Sequence, residues 1–180
     1  YRAGLHVGSA AIVQPAALVR GLASHLPPNV ELLEESPVLA VQSGAATELQ
    51  STEGSVRTSR LLLTTNAFTP ALGFLRRRIF PLLVFASLTR PLTQGDQDAL
   101  GGDREWGLVP EESMGSTVRR TQDQRILIRN SLRYAPRFRI AERVRRGIRR
   151  IHRRSFLARF HGLERVEFDY SWGGVVGITS

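Results

Sequence analysis

QPAALVRGLASHLPPNVELLEES, residues 14–36, predicts a helix that is followed at once by a strand. Pro15 suits the first helical position, where no backbone N–H is needed, and apolar residues then recur at helical spacing. Pro27 and Pro28 end the helix, and residues 30–34 follow as a strand. A helix that leads directly into a strand is the repeating step of an α/β unit.

Three short strands joined by tight turns come next. They are contained in the segments PVLAVQS, TELQSTEG and SVRTS, and Ser43-Gly44 and Glu53-Gly54 mark the two turns between them. We therefore expect an antiparallel three-stranded meander. Residues 60–64 are then predicted as a short apolar strand with both faces covered, which ends in the small and polar residues TTNAFTP.

The character of the sequence changes at Gly73, where a β-rich second half begins. Residues 79–92, IFPLLVFASLTRPL, are the longest strand candidate, and Pro81 indicates an edge or a bulge in it. A short helix is predicted over residues 94–102. Three further strands are predicted at residues 106–109, 116–121 and 125–131, the last two as a hairpin around the turn QDQ.

A basic helix is predicted over residues 137–159, followed by a strand at residues 166–170 that runs into SWGGVVGITS. The apolar face of the helix is expected to consist of Ile140, Val144, Ile148 and Ile151. The chain stops after SWGGVVGITS without a terminal element, and no opening strand precedes residue 14. We therefore expect a piece excised from a longer polypeptide.

Composition places the chain among ordinary globular proteins, with 42% apolar and 23% charged residues in a length of 180. No run of about 18 apolar residues is present, and Tyr1 does not begin a signal peptide, so we expect a cytoplasmic protein. The absence of cysteine excludes disulfides and thiolate chemistry. The four histidines show no ligand-like spacing, so we expect no metal site.

The basic residues are concentrated in one segment. All 25 are arginine, and the formal net charge is +9. Residues 137–159 hold ten arginines against one acid, Glu142, so this segment carries the whole excess, while the rest of the chain is neutral. Arginine and lysine are not physically interchangeable, but the exclusion of lysine from every environment indicates composition bias in the source genome.

Six segments, in this order and with these spacings, resemble the D-amino-acid oxidase-like family of FAD-dependent oxidoreductases, which includes sarcosine and glycine oxidases. The segments are IVQPAALVRGLASHL, VELLEESPVLAVQS, LLLTTNAFTP, RIFPLLVFASLTRPL, RRTQDQRILIRNS and FDYSWGGVVGITS. The resemblance implies an α+β fold with a mixed, mainly antiparallel substrate-domain sheet covered by helices, together with a partial Rossmann-like FAD-domain segment. It implies residues 1–72 as the distal, incomplete part of the FAD-binding domain and residues 73–180 as most of the substrate-binding domain.

The resemblance also implies where FAD is bound. The backbone after the strand at residues 30–34 lies against the adenosine half of FAD. The residues after the strand at residues 60–64 lie at the usual ligand edge of an open sheet, and the glycines of SWGG let the flavin ring approach. The implied cofactor-binding residues are Ser36, Pro37, Val38, Thr65, Asn66, Ala67, Trp172, Gly173 and Gly174. Residue type alone favours a core position for Trp172, whereas its glycine neighbours favour the contact with the cofactor.

The implied reaction is oxidation of a C–N bond in a small amine or amino acid, with hydride transfer to the flavin; no catalytic residue is identified. Strand residues that face the substrate are expected to bind an anionic group or to orient the amine. An exposed face or a structural ion pair also explains the arginines, and a half-buried position in the sheet also explains the tyrosines. These candidates are Arg119, Arg120, Arg129, Tyr134 and Tyr170.

Two features qualify this assignment. The glycine-rich dinucleotide turn has no match in the chain, so we expect the isolated chain to bind FAD weakly and to be inactive. The alternative function is a basic module that binds nucleic acid or an acidic partner through residues 137–159. The neutral remainder has no nucleic-acid-binding signature, so we favour the enzyme and a solvated or acid-docking helix, with no membrane partner.

Overall fold

A computed structural model of the chain describes residues 4–112, 115–136 and 138–179. Its contacts divide the chain into two compact units, Tyr1–Pro37 and Val38–Ser180. No helix in the described ranges is long and apolar enough to cross a membrane.

The first unit contains the predicted helix but not the predicted strand. Helix α1, Pro15–Ala23, begins where the Gln14 side chain accepts the Ala17 N–H at 2.7 Å. The strand predicted at residues 30–34 is wrong, because this segment pairs with no other in the described part of the chain. It ends in a turn in which Glu35 has a φ of 53°.

The second unit opens with the meander that the turn residues predicted. Strands β1, Val38–Gln42, β2, Thr47–Ser51, and β3, Ser55–Thr58, pair in sequence order and antiparallel. The Ser51 N–H closes the second turn on the Gly54 carbonyl at 2.8 Å.

The strand predicted at residues 60–64 is also wrong. Leu62 is largely exposed, and no described segment pairs with this stretch. The chain instead runs unpaired into a 3-10 helix, Asn66–Leu72, which ends at Gly73 with a φ of 94°. A covered strand requires neighbours on both sides, and the described residues supply none here.

A five-stranded antiparallel sheet with helices on one side forms the main body of the second unit, and the predicted α+β fold is confirmed. Its strands are β4, Ile79–Thr89, β5, Trp106–Leu108, β6, Thr117–Arg120, β7, Ile126–Tyr134, and β8, Phe168–Thr179. Their spatial order is β5-β6-β7-β4-β8, so β4 has a neighbour on each side and β8 lies at an edge.

Pro81 lies in this central strand at a place where its missing N–H is not needed. Its pairing with β8 is made opposite Gly177, whereas the ladder between β4 and β7 starts only at Leu82. The expectation that Pro81 lies in an edge strand is therefore wrong, because β4 is central. On the β7 side Pro81 is outside the ladder, and its carbonyl accepts the Ala135 N–H. The bulge lies opposite β4, at Ser131 of β7, which has a φ of 65°.

Two helices flank the sheet. Helix α2, Gln94–Leu100, has a capping box in which Thr93 and Asp96 exchange hydrogen bonds. Helix α3, Glu142–Leu157, is the basic helix, and it is shorter than predicted; residue 137 lies outside the described ranges.

The buried stripe of α3 differs from the predicted one in its C-terminal half. Ile148, His152 and Phe156, spaced four residues apart, are buried, whereas Ile151 is 44% exposed. The stripe therefore follows steps of four residues, as helical periodicity allows. The core beneath it includes Val118, Ile126, Ile128, Leu163, Val166 and Phe168.

Candidate functional site

The five-stranded sheet has two faces with different surroundings. Side chains alternate between the faces of a strand, and Phe85 and Ser87 of β4 belong to the face that packs against α3. The residues between them, and their partners on neighbouring strands, share the other face, which we call the far face. Its members include Ala86, Leu88, Arg119, Leu127, Arg129, Tyr170, Trp172 and Gly174.

One cross-strand row of the far face joins two predicted site residues. Arg129 is paired with Thr117 on one side and with Ala86 on the other, and Ala86 is in turn paired with Trp172. One strand, β4, lies between Arg129 and Trp172, so their backbones are two strand spacings, or about 10 Å, apart. The Arg129 Nη2 donates to Thr117 Oγ1 at 3.0 Å, which leaves further N–H donors of the guanidinium group.

The next row places Arg119 and Tyr170 on the same face. Arg119 is paired with Leu127, Leu127 with Leu88, and Leu88 with Tyr170. Arg119 is diagonal to Arg129 across β6 and β7, so long side chains at these positions are within mutual reach. Neither arginine has a carboxylate partner within the described ranges.

Arg120 lies on the opposite face, and we remove it from the substrate-binding candidates. It is 2% exposed. Its Nη1 donates to the carbonyls of Gly101 and Asp103 at 3.2 and 3.0 Å, and its Nε and Nη2 donate to Gln124 Oε1 at 3.0 and 2.7 Å. These contacts fasten the loop after α2 to the hairpin of β6 and β7, so the group is structural.

Trp172, Gly173 and Gly174 lie within strand β8, and they do not form a turn. A Cβ built on Gly173 would lie 2.9 Å from the Phe85 ring, so this glycine makes room for Phe85 on the α3 side. A Cβ on Gly174 would meet no atom of the described part of the chain within 4 Å. The far face therefore presents Gly174 and Trp172, which is 45% exposed, but not Gly173.

The predicted residues Thr65, Asn66 and Ala67 adjoin β8, but not at its double glycine. Asn66, with a φ of 48°, accepts the Gly177 N–H on its Oδ1 at 2.6 Å. A Cβ on Gly177 would lie 2.8 Å from that oxygen and 3.1 Å from the Ala67 nitrogen. Thr65 bonds Thr69 through their hydroxyls at 2.8 Å. This corner is thus packed around Gly177, three residues from Gly174.

The predicted adenosine-binding residues belong to two units. Ser36 and Pro37 end the first unit, and the Ser36 hydroxyl donates to the Glu34 carbonyl at 2.9 Å. Val38 opens β1 opposite Ser51, next to a register shift, and its side chain is exposed. Their contact with FAD stays a prediction.

The two candidate tyrosines have different neighbours. Tyr134 is 65% exposed and is paired with Leu82 near the end of β7. Tyr170 is 57% exposed, and the Arg125 guanidinium lies 5.6 Å from its ring centre. Arg125 is itself paired with Asp169 at 2.8 Å, so it holds Tyr170 at one end of the far face.

A buried polar chain on the α3 side was not predicted from the sequence. His152 is fully buried, and its Nδ1 is 2.7 Å from Ser87 Oγ, which is 2.7 Å from Ser171 Oγ. Burial lowers the pKa of His152 below its usual value, which keeps the ring neutral at neutral pH. Its spacing of four residues from Ile148 and from Phe156 is the sequence signal that could have placed it in the core.

The far face is suited to close approach by a planar ring. No atom of the described residues lies within 4 Å of a Cβ built on Gly174, and Tyr170 and Trp172 precede it on the same face as exposed aromatics. Its neighbour Ala86 is small. Contact of the Gly174 backbone and the Trp172 side chain with FAD stays a prediction.

Comparisons with known proteins identify the family. The family model described as DAO, FAD dependent oxidoreductase, matches residues 1–180, whereas a comparison with curated proteins gave no significant match. The glycine oxidase from Geobacillus kaustophilus superposes with a TM-score of 0.60 at 16% identity, over 82% of this chain and 38% of that chain. The L-proline dehydrogenase from P. horikoshii gives 0.60 at 15% identity, over 82% of this chain and 39% of that chain.

At these identities the two solved structures establish the fold alone, and the chain spans about two fifths of their length. The family model covers the chain from end to end, so the resemblance read from the sequence is confirmed. The chain belongs to the DAO family of FAD-dependent oxidoreductases.

Proposed function

We propose that the residues of the far face form one wall of the flavin and substrate site of an enzyme that oxidises the C–N bond of a small amine or amino acid. The observation that carries the proposal is the row in which Arg129, Ala86 and Trp172 lie side by side on the far face. It sets a group that binds anions about 10 Å from a surface that suits a planar ring. The names of the two similar structures, a glycine oxidase and an L-proline dehydrogenase, agree with an amino-acid substrate.

Within this proposal the residues of β8 position the cofactor. FAD, when bound, supplies the acceptor for the hydride removed from the carbon next to nitrogen. Gly174 allows its ring to approach the strand backbone, and Trp172 packs beside it. Residues 1–72 would contribute to the FAD domain and residues 73–180 to the substrate domain, with Val38 and the Thr65–Ala67 corner of the second unit on the nucleotide side.

The remaining far-face residues would bind and desolvate the substrate. Arg129 and Arg119 offer planar donors that match a carboxylate. Ala86, Leu88 and Leu127 between them and β8 are apolar, and an apolar floor favours the neutral amine that the reaction requires. Tyr170 and Tyr134 border this floor and carry hydroxyls that could orient the amine.

Arg129→Gln tests the substrate assignment. In the gene product that carries these residues, we expect kcat/KM for amino acids to fall about 10- to 100-fold, the value of a charge-assisted hydrogen bond. Amines without a carboxylate should be affected much less. The matched control is Arg133→Gln, on the same strand but paired with Leu83 on the α3 side. Equal losses for both substrate classes, or for both variants, would exclude Arg129 as the carboxylate anchor.

A further inference from the structure

We propose a second site, for a small ligand with two or more linked phosphate groups, in a groove between α3 and the chain that enters β8. The groove has a volume of about 410 Å³ and is lined by Arg146, Arg149, Arg150, Arg153, Glu167 and Phe168. We call it the arginine groove. It lies on the α3 side of the sheet, so it is separate from the far face and independent of the proposed oxidase function.

The four arginines form one row along the helix. Their positions follow the spacing i, i+3, i+4 and i+7, which places side chains on the same side of a helix. From Arg146 to Arg153 the row extends about 10 Å along the helix axis. A ligand with linked anionic groups can therefore contact several guanidinium groups at once.

Two of these arginines are fixed in place by backbone carbonyls. Arg149 donates through Nη2 to the Phe168 carbonyl, and Arg153 donates to the carbonyls of Val166 and Glu164. Each guanidinium group has five N–H donors, so donors remain for a ligand. Because these side chains are already held, binding would cost less conformational entropy than ordering free arginines.

The described residues neutralise the positive charge of the groove only in part. Among the described residues, the ion pair within α3 joins Arg145 to Glu142 at 4.0 Å, and no ion pair involves an arginine of the groove. Glu167 is the one carboxylate in the lining, which leaves an excess of three positive charges. Guanidinium groups bind phosphate through paired N–H···O contacts, so linked phosphates satisfy this excess.

The groove favours a small ligand over a nucleic-acid duplex. Even a single DNA-binding module buries roughly 600–1,000 Å², which a row of about two helical turns does not provide. The segment 164–168 also lines one side of the row, so the arginines face a bounded space.

Titration calorimetry of the 180-residue chain with inorganic tripolyphosphate tests the proposal. The groove variant is R146E/R150E, because none of the described hydrogen bonds involves the side chain of Arg146 or Arg150. The control is R143E/R154E, on the same helix outside the groove lining and with the same change in formal charge. We expect saturable binding of one ligand per chain, weakened more than about tenfold in the groove variant and within about threefold in the control, because nonspecific charge effects are screened at ~150 mM salt.

Thermal unfolding supplies the second readout. Tripolyphosphate should raise the melting temperature of the native chain and of the control, but not of the groove variant, since a ligand stabilises the state it binds. Equal weakening in both variants would overturn the proposal by showing diffuse attraction. No saturable binding, equal affinity for citrate, or tighter binding of duplex DNA that tripolyphosphate does not displace would also overturn it.

Discussion

Phe156→Ala is expected to lower the free energy of unfolding by about 3–5 kcal/mol, the usual cost of removing a buried phenylalanine. The Phe156 side chain is fully buried. Its ring centre lies 5.0 Å from that of Phe160 and 5.7 Å from that of Phe168. It therefore joins α3 to the first residue of β8, and the cavity would open between them. Denaturant unfolding of the 180-residue chain measures the loss.

Ile151→Ala is the matched control for this change. It lies five residues earlier on α3 and is 44% exposed, so we expect a loss below about 1 kcal/mol, as for other surface substitutions. An equal loss for the two variants would contradict the burial of Phe156 and the exposure of Ile151. A larger loss at Ile151 would restore the stripe that the sequence first suggested.

Arg120→Ala is expected to lower the free energy of unfolding by about 2–4 kcal/mol, because hydrogen bonds to a charged group are lost and buried acceptors are left without donors. The acceptors are the carbonyls of Gly101 and Asp103 and the side chain of Gln124. Their loss would release the loop after α2. Thermal unfolding, combined with hydrogen exchange at residues 101–103, measures both effects.

Arg119→Ala, at the neighbouring position on the far face, is the control. We expect it to change stability by less than about 0.5 kcal/mol, since none of the described hydrogen bonds or ion pairs involves its side chain. If Arg119→Ala is the more destabilising of the two, the two faces of β6 have been assigned the wrong way round.

Local signals in the sequence predicted most of the antiparallel structure. The turns at Ser43-Gly44, Glu53-Gly54 and QDQ connect strands adjacent in sequence, and the structure pairs those strands. The capping residues of α2 also act within one turn. Such elements are completed by residues close in the chain, so their sequence contains the necessary information.

The strands predicted at residues 30–34 and 60–64 depend on partners that local sequence does not specify. An apolar run forms a covered strand only when other strands supply hydrogen bonds on its edges. In the described part of the chain neither run has such a partner. Both runs are apolar, but an apolar pattern does not specify which strand will pair with it.

The sequence did not show which face of the sheet each candidate site residue occupies. A shift of one residue moves a side chain to the other face of a sheet, and this distinguishes Arg119 from Arg120 and Gly174 from Gly173. Register is set by pairing across β4, β7 and β8 and by the extra residue Ser131. Residue type alone therefore suggested these positions without separating the far-face members from the structural ones.

Flavin content of the Gly174→Leu variant tests the central claim, that the far face of the sheet lies against the flavin. In the gene product that carries these residues, we predict loss of most of the bound FAD and a melting temperature close to that of the flavin-free native protein, because a Cβ at Gly174 meets no atom of the described residues within 4 Å and glycine has no conformational advantage in a strand. Gly174→Ala should retain more FAD than Gly174→Leu. A folded Gly174→Leu protein with its full flavin content and unchanged amine oxidation would contradict the account.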